Sequence, residues 1–492
     1  MIVNPDLAAA SAALAEQRLG DVLEPLERAA ALQSGEASHW QGVVNVAIRI
    51  GDDDLASHAA TRLRALTPKD PGRRAVEMEL LAGTGNVRAA LTLARRIGSD
   101  HPSDARWPLL EGTYLARLGL EDEAIHALHR ATRRTAAPAV VWEQLASLKT
   151  FTPDDPDFKT LEQAAVAAGN KPDSAPLAYA LAKAYEDIGD VDRAFEWFVR
   201  GAALMLGGRV PRMEAFFAQA AQARAAFPSE RLATAHATDR PERPILVIGC
   251  PRSGTTLLER ILASSDQVSS GGELKMLRLA CLGFSPPSPA RVDAFVNRCG
   301  GEAQAWRRVA DTYVRKLVHR FGRADGVVDK GLVNYLYVGA LALALPQARI
   351  IHVRRDPMDV AWSCFRRRFH DGLAWSYNFE SLAAFIRVYE DMSTYWKSVL
   401  PGRICTVEFE KLVAEPDAET ARVFEFAGVE RPPDWRSFHR KGGVVHTSSQ
   451  FQVRRPLNTD GVGAWKRYER HLHPLQDALA RFGVLQAPRP AQ

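Results

Sequence analysis

Cysteine is scarce in this 492-residue chain: Cys250, Cys281, Cys299, Cys364 and Cys405 make an odd five, with no C-x-x-C pair among them. Neither a disulfide framework nor a zinc site is indicated, and reduced thiols are the simplest reading. Long apolar runs are missing too. No stretch of about 18 or more uninterrupted apolar residues occurs, and the opening text MIVNPDLAAASAALAEQRLGD lacks the basic, apolar and cleavage-site order of a signal peptide. A cytoplasmic chain without a transmembrane segment is therefore expected. There is no long Lys/Arg tract with interleaved aromatics, which argues against nucleic acid as a partner. His446 has no second His or Cys at ligand spacing, and a lone histidine is more often structural or solvated, so no metal and no histidine base is read from the histidines.

What is present belongs to a folded protein. Hydrophobic residues make up 46% and charged residues 25% of the chain, and the length suggests roughly two to four domains. The net charge of +5 hides an asymmetry. Residues 1–240 hold 27 Lys and Arg against 32 Asp and Glu, whereas residues 241–492 hold 36 against 26. An anionic ligand is expected in the second half.

The first half repeats itself. Turns begin at Gly51, Gly85, Gly119 and Gly189, spaced by 34, 34 and 70 residues, the last close to two periods. Five residues after each glycine stands an alanine (Ala56, Ala90, Ala124, Ala194), and Pro68, Pro102 and Pro138 close the first three units. A small residue lets paired helix axes approach closely, and proline stops the second helix. This helix, turn, helix period resembles the tetratricopeptide repeat. The alternative is an unrelated helical bundle with fortuitous spacing. TPDDPDFKTLEQAAVAAGNKP, where a glycine turn is missing, reads as an irregular unit, and RLGDVLEPLERAAAL as an atypical first one with Pro25 in the alanine position. Apolar faces of such helices are buried only by stacking the next repeat. The array, residues 1–235, either binds a peptide or protein partner or supports its neighbour.

Apolar periodicity fades between Phe227 and Pro244, and a second domain is expected over residues 241–486. It opens with PILVIGCPRSGTTLLERILAS, an apolar strand, a glycine-rich turn and an amphipathic helix. Gly249 to Thr256 nearly satisfies the phosphate-loop pattern G-x-x-x-x-G-K-[ST], but Thr255 occupies the lysine position. Backbone N–H groups and the helix end can still hold a phosphate-like anion, with the Thr255 and Thr256 hydroxyls as further donors. Arg252 adds a planar, permanent positive charge. Farther on, VVDKGLVNYLYVGALALALPQARIIHVRRDPMDVAWSCF reads as short strand, basic turn, helix, buried strand and helix. Arg355 leaves that buried strand and Ser363 lies eight residues later on the next helix, so both can converge on one anion.

PRSGTTLLERILAS resembles the 5′-phosphosulfate loop of the sulfotransferases, most of all the tyrosylprotein sulfotransferase branch, and similar elements follow in order across residues 243–485. The resemblance implies an α/β, P-loop-like domain with a central parallel sheet behind the all-α array. It also implies 3′-phosphoadenylyl sulfate as co-substrate, no metal, and an acceptor hydroxyl left open among protein tyrosine, carbohydrate, lipid and small molecule. By resemblance Arg252, Ser253, Gly254, Thr255 and Thr256 hold the donor's 5′ end. Glu273 in GGEL matches the catalytic base, Lys330 the cation that steadies the bridging oxygen, and Arg355 and Ser363 the 3′-phosphate site. Arg367, one turn past Ser363 and on the same face, matches a further nucleotide contact; Arg354, Arg366 and Arg368 beside them are read as solvated charges. Phe409, before Glu410, stands where tyrosine is usual. VVHTSSQFQVRRPLNTDGVGAWKRYERHL resembles the loop that closes over the donor, with Ser449, or Ser448 one position away, matching a transition-state contact. Ala464 replaces a basic residue usual before the tryptophan, for which Lys466 is the candidate substitute. Two rivals stand beside this reading: a P-loop small-molecule kinase, and a non-catalytic repeat adaptor with a degenerate second domain.

Overall fold

A computed structural model describes residues 4–68, 70–134, 138–234, 240–369, 373–441 and 452–485. Its first half is helical from Pro5 onward. Ala37–Ile50 pairs with Asp53–Leu66, Pro71–Gly83 with Val87–Asp100, Arg106–Leu118 with Glu121–Thr132, and Ala175–Asp187 with Val191–Leu206. Gly51, Gly85, Gly119 and Gly189 make the turns inside these pairs at φ of 81°, 98°, 81° and 84°, a left-handed conformation that a side chain would strain. Asp52 and Asp190 then cap the second helices by accepting from the backbone N–H groups of Leu55 and Arg193. Ala56, Ala90, Ala124 and Ala194 are all fully buried, as close helix approach requires. The irregular unit holds the helix Pro156–Ala168, capped by Asp155 in place of a glycine turn; this helix and Val140–Leu148 both pack on Ala175–Asp187. Pro25 falls in the first turn of Leu23–Ala31, where its missing N–H leaves no intrahelical bond unmade.

The second half is built on five parallel strands: β1 (Ile245–Gly249), β2 (Ser269–Ser270), β3 (Val327–Asp329), β4 (Arg349–Arg354) and β5 (Ile404–Glu408). Their order is β2-β3-β1-β4-β5. β1 is central, with Ile245 opposite both Val328 and Arg349, and Gly249 opposite Val353. Its side chains alternate between two cores. Ile245 and Val247 join Leu258, Ile261 and Val407; Leu246 and Ile248 join a larger cluster containing Trp306, Trp362 and Trp396. Helix-covered parallel strands must be apolar on both faces, which is why ILVI runs unbroken.

That larger core does not stop at the domain boundary expected from the sequence. It continues through Leu177, Tyr179 and Phe198 of the repeats. Phe198 meets Trp362 edge to face at 5.7 Å, and Phe195 stacks on it at 5.9 Å. Charge seals the other end of the contact. Lys316 and Arg320, on the helix Glu302–Phe321, pair with Asp52 and Asp54 of the repeats at 2.5 and 2.7 Å, and Lys275 pairs with Asp53 at 3.0 Å. Part of the basic excess of the second half is therefore spent on the acidic first half. Among the described residues no helix is long and apolar enough to cross a membrane.

His352 in the middle of β4 is 2% exposed, and its Nδ1 has no hydrogen-bond partner. Burial, aided by Arg354 and Lys397, pushes its imidazole down to about 3. The unfolded chain takes up a proton near pH 6.5 while the folded chain does not, so stability is full above that pH and falls as pH drops toward 3. Between pH 7.5 and pH 5 this group should cost about 2 kcal/mol. Chemical denaturation at both pH values should show His352→Phe losing about that much less than the parent protein; equal losses would show that His352 takes up its proton as readily in the folded chain as in the unfolded one.

Candidate active site

The chain leaves β1 into a loop that only particular residues can form. A Cβ on Gly249 would stand 2.6 Å from Ser253 Oγ and from Thr255 Cγ2. One on Gly254, at φ 104°, would strike the Phe409 ring at 2.5 Å. Arg252 itself adopts φ 70°, a left-handed value rare for a side-chain-bearing residue and characteristic of functional turns. Helix Thr255–Leu262 follows, with no side chain capping its start. Its first N–H groups therefore face the cleft together with the positive end of the helix. Ser253 is 1% exposed.

Strand β4 delivers the second group. Asp356 caps the next helix, Pro357–Phe365, by accepting from Asp359 N–H at 3.0 Å, and is itself held when its own N–H donates to Glu410 at 2.8 Å. Arg355 Nη1 donates to the Arg252 carbonyl at 2.9 Å, and Arg252 Nε donates to Ser363 Oγ at 2.9 Å. The loop and the arginine-serine pair, 103 and 111 residues apart in sequence, thus touch directly. Arg355 also lies 4.7 Å from the centre of the Phe409 ring, so the residue that replaces tyrosine supports the guanidinium with its face. Arg367 lines the same cleft. It is not on the helix, which ends at Phe365; it sits in the turn beyond, with its N–H bonded to the Cys364 carbonyl.

These guanidiniums repel. Burial, together with Arg367, Arg366 and Arg355, holds Arg252 down to about 9, and burial lowers Arg355 and Arg367 as well. An arginine so destabilised in its charged form gains most from an anion.

The third group follows β2 and β3. Lys330 Nζ lies 3.4 Å from Glu273 and 3.7 Å from Glu259. Glu273 is part of the cleft lining and 36% exposed, whereas Lys330 is 2% exposed, behind it. Asp329, just before, accepts from Gly331 N–H, Asn334 and Tyr313 and so fixes the turn; burial pushes its carboxyl up to about 6.

The cleft is about 650 Å³ and opens at the carboxyl ends of β1 and β4, where the strand order reverses and where ligands of open α/β sheets lie. Asn458, Asp460, Gly461 and Ala464 of the expected closing loop form one margin. Asp359 anchors that loop by accepting from the N–H groups of Gly463 and Trp465, and Arg355 donates to the Gly461 carbonyl. Lys466 is exposed and is not among the lining residues, so the structure does not bring it to the place left by Ala464. Ser448, Ser449 and His446 lie outside the described residues.

Three features escaped the sequence reading. Thr113, Arg117, Glu143, Gln144 and Ser147, all from the repeats, wall the cleft opposite the loop. Arg366 and Arg368 are not solvated: Arg366 pairs with Glu186 at 2.6 Å, and Arg368 grips Glu143 with two nitrogens at 2.9 and 2.6 Å. Nothing in a local window distinguishes such arginines from surface ones. The third is Glu259, 2% exposed, whose Oε1 accepts from Gly272 N–H and Ser270 at 2.7 Å each. A signal existed here, because a glutamate in TTLLERIL interrupts a helix whose residues from Leu258 to Leu262 are all buried.

Residues 244–433 match the family model described as the sulfotransferase family. An uncharacterised protein of Aquifex aeolicus is 28% identical over 263 residues, 50% of this chain and 34% of that protein. The chain thus spans about a third of that relative's length. A candidate protein-tyrosine sulfotransferase of Caenorhabditis briggsae is 23% identical over 232 residues, 46% of this chain and 81% of that one. Among solved structures, the sulfotransferase domain of the Synechococcus PCC 7002 olefin synthase is 19% identical, with 51% of this chain and 98% of that one covered and a TM-score of 0.35.

Glu259→Ala would leave the Lys330 ammonium buried with one carboxylate and the Glu273 loop without its anchor. A loss of about 3 kcal/mol or more is expected, with Glu259→Gln, which keeps an acceptor for Gly272, milder. Thermal denaturation checks this ranking; a neutral Glu259→Ala would mean that the contacts to Ser270 and Lys330 carry no stability.

Proposed function

We propose that the second domain, over residues 241–486, transfers a sulfuryl group from 3′-phosphoadenylyl sulfate to an acceptor hydroxyl. The observation that carries this reading is the contact between the phosphate loop and the Arg355–Ser363 pair. The 5′- and 3′-substituents of one ribose are near neighbours, and here the two groups of donors are near neighbours as well. A nucleoside triphosphate has no 3′-phosphate to occupy the second group, and Thr255 supplies no ammonium for a γ-phosphate.

In this reading Arg252, Ser253, Gly254, Thr255 and Thr256 hold the phosphosulfate, and Arg355, Ser363 and Arg367 the 3′-phosphate. Glu273 accepts the proton of the acceptor hydroxyl. That oxygen forms a bond to sulfur as the bond from sulfur to the bridging oxygen breaks, and adenosine 3′,5′-bisphosphate leaves. Lys330 and Arg252 balance the charge that gathers on the departing oxygen, an effect that is largest in a site sheltered from water. The position of Lys330 beside Glu273 supports this division of labour, since proton acceptor and cation stand one contact apart. Ser449 keeps the role implied by resemblance, a contact to the transition state. Likeness to a candidate protein-tyrosine sulfotransferase makes tyrosyl peptides the first acceptors to try, although a shared donor site does not fix the acceptor.

Transfer from labelled donor to a panel of tyrosyl peptides, carbohydrates and lipids tests the reaction. Glu273→Gln should lower turnover by about 10²- to 10⁴-fold while adenosine 3′,5′-bisphosphate still binds. Phosphorylation from ATP with no response to the sulfonate donor would replace this reading with a kinase, and undiminished turnover in Glu273→Gln would remove that residue from the chemistry.

A further inference from the structure

Arg366, Arg367 and Arg368 are consecutive, and in a cleft already holding Arg252 and Arg355 three adjacent guanidiniums would push the chain apart. The outer two are neutralised from the other half of the molecule. Arg368, 12% exposed, makes its two-pronged contact with Glu143 of the helix Val140–Leu148. Arg366 pairs with Glu186, near the end of the helix Ala175–Asp187. A two-pronged guanidinium-carboxylate pair fixes direction as well as distance. The chain between these anchors is short: Arg366 N–H closes the helix on the Trp362 carbonyl, and Arg367 N–H bonds to the Cys364 carbonyl. Between two fixed neighbours, Arg367 can enter the cleft in few ways.

Glu186 does more than hold Arg366. Its carboxylate accepts from the Tyr468 hydroxyl at 3.1 Å, and its carbonyl accepts from Arg467 at 3.3 Å. Tyr468 is fully buried against Trp362, with ring centres 4.4 Å apart, and Trp362 immediately precedes Ser363. One repeat carboxylate is therefore tied both to the turn that carries Arg367 and to the helix-forming end of the closing loop.

We propose that Glu143 and Glu186, two carboxylates of the helical repeats, are positioning residues for the 3′-phosphate of the bound nucleotide. By holding Arg368 and Arg366 they fix the backbone that presents Arg367 to the cleft beside Ser363 and Arg355. The inference rests on the donor assignment made above. It makes the repeats a working part of the nucleotide site, whatever else they bind.

Calorimetric titration of the full chain with adenosine 3′,5′-bisphosphate and with adenosine 5′-phosphate, which differs only in lacking the 3′-phosphate, separates the two claims. The parent protein should prefer the bisphosphate. Absence of that preference would sink the donor assignment itself, and this proposal with it. In Glu143→Gln/Glu186→Gln the bisphosphate should bind about tenfold more weakly while adenosine 5′-phosphate changes little, so the preference shrinks. If the two carboxylates acted only through space, their removal would strengthen both ligands; if they only held the fold, both ligands would weaken together. Either result overturns the proposal. Glu143→Arg combined with Arg368→Glu restores the pair with its charges exchanged and should recover the preference that Glu143→Arg alone loses, and failure to recover it would count equally against the assignment.

Discussion

Several positive charges have to be kept together, partly out of water, before any ligand arrives, and most of the second domain can be understood as the means of bearing that repulsion. Two unit charges about 4 Å apart near a protein surface interact by roughly 4 kcal/mol, so a cluster of Arg252, Arg355 and Arg367 cannot be left to flexible side chains. Arg252 and Arg355 are carried at the ends of β1, the central strand, and its neighbour β4, and Arg367 on the turn that ends the helix after β4. Carboxylates stand against the guanidiniums: Asp359 4.0 Å from Arg355, Glu186 on Arg366, and Glu143, itself part of the cleft wall, on Arg368. The charge that remains faces the cleft, beside a helix start that contributes more of the same sign.

The local devices of this architecture were readable in the sequence. Glycine turns with an alanine five residues later, the interrupted phosphate loop, and an arginine and a serine eight residues apart after an apolar strand are short-range patterns. Each has a backbone reason to exist. What could not be read were relations between distant segments. Arg366 and Arg368 look like surface residues because their partners stand 180 and 225 positions away. The charge asymmetry was informative about sign but not about destination, since Lys316 and Arg320 answer Asp52 and Asp54 and are not among the residues that line the cleft. Arg367 was placed on a helix face by counting residues, and the helix ends two positions earlier. Glu259 does carry a local signal, because an acid amid LLERIL on a buried helix asks for a buried partner.

Phe409 shows how a departure from an expected residue can be absorbed. Phenylalanine brings no hydroxyl to this place, yet its ring lies under Arg355, limits residue 254 to glycine and borders Gly461. A planar apolar surface there borders two backbones, at Gly254 and Gly461, and one guanidinium. The same economy is seen at Asp359, where one carboxylate orders two N–H groups of the closing loop while standing behind Arg355.

The unbroken core that joins Phe198 and Tyr179 to Trp362 and Phe365 bears on how the molecule is made. Helical repeats depend on neighbours close in sequence and can take shape as they leave the ribosome, whereas the sheet must wait for β5 at residues 404–408 before its order is complete. When the later half collapses, a finished apolar wall is already waiting for its tryptophan. The amino-terminal array then serves as a mould, and a nascent chain deprived of it would present a broad greasy surface to the crowded translation milieu.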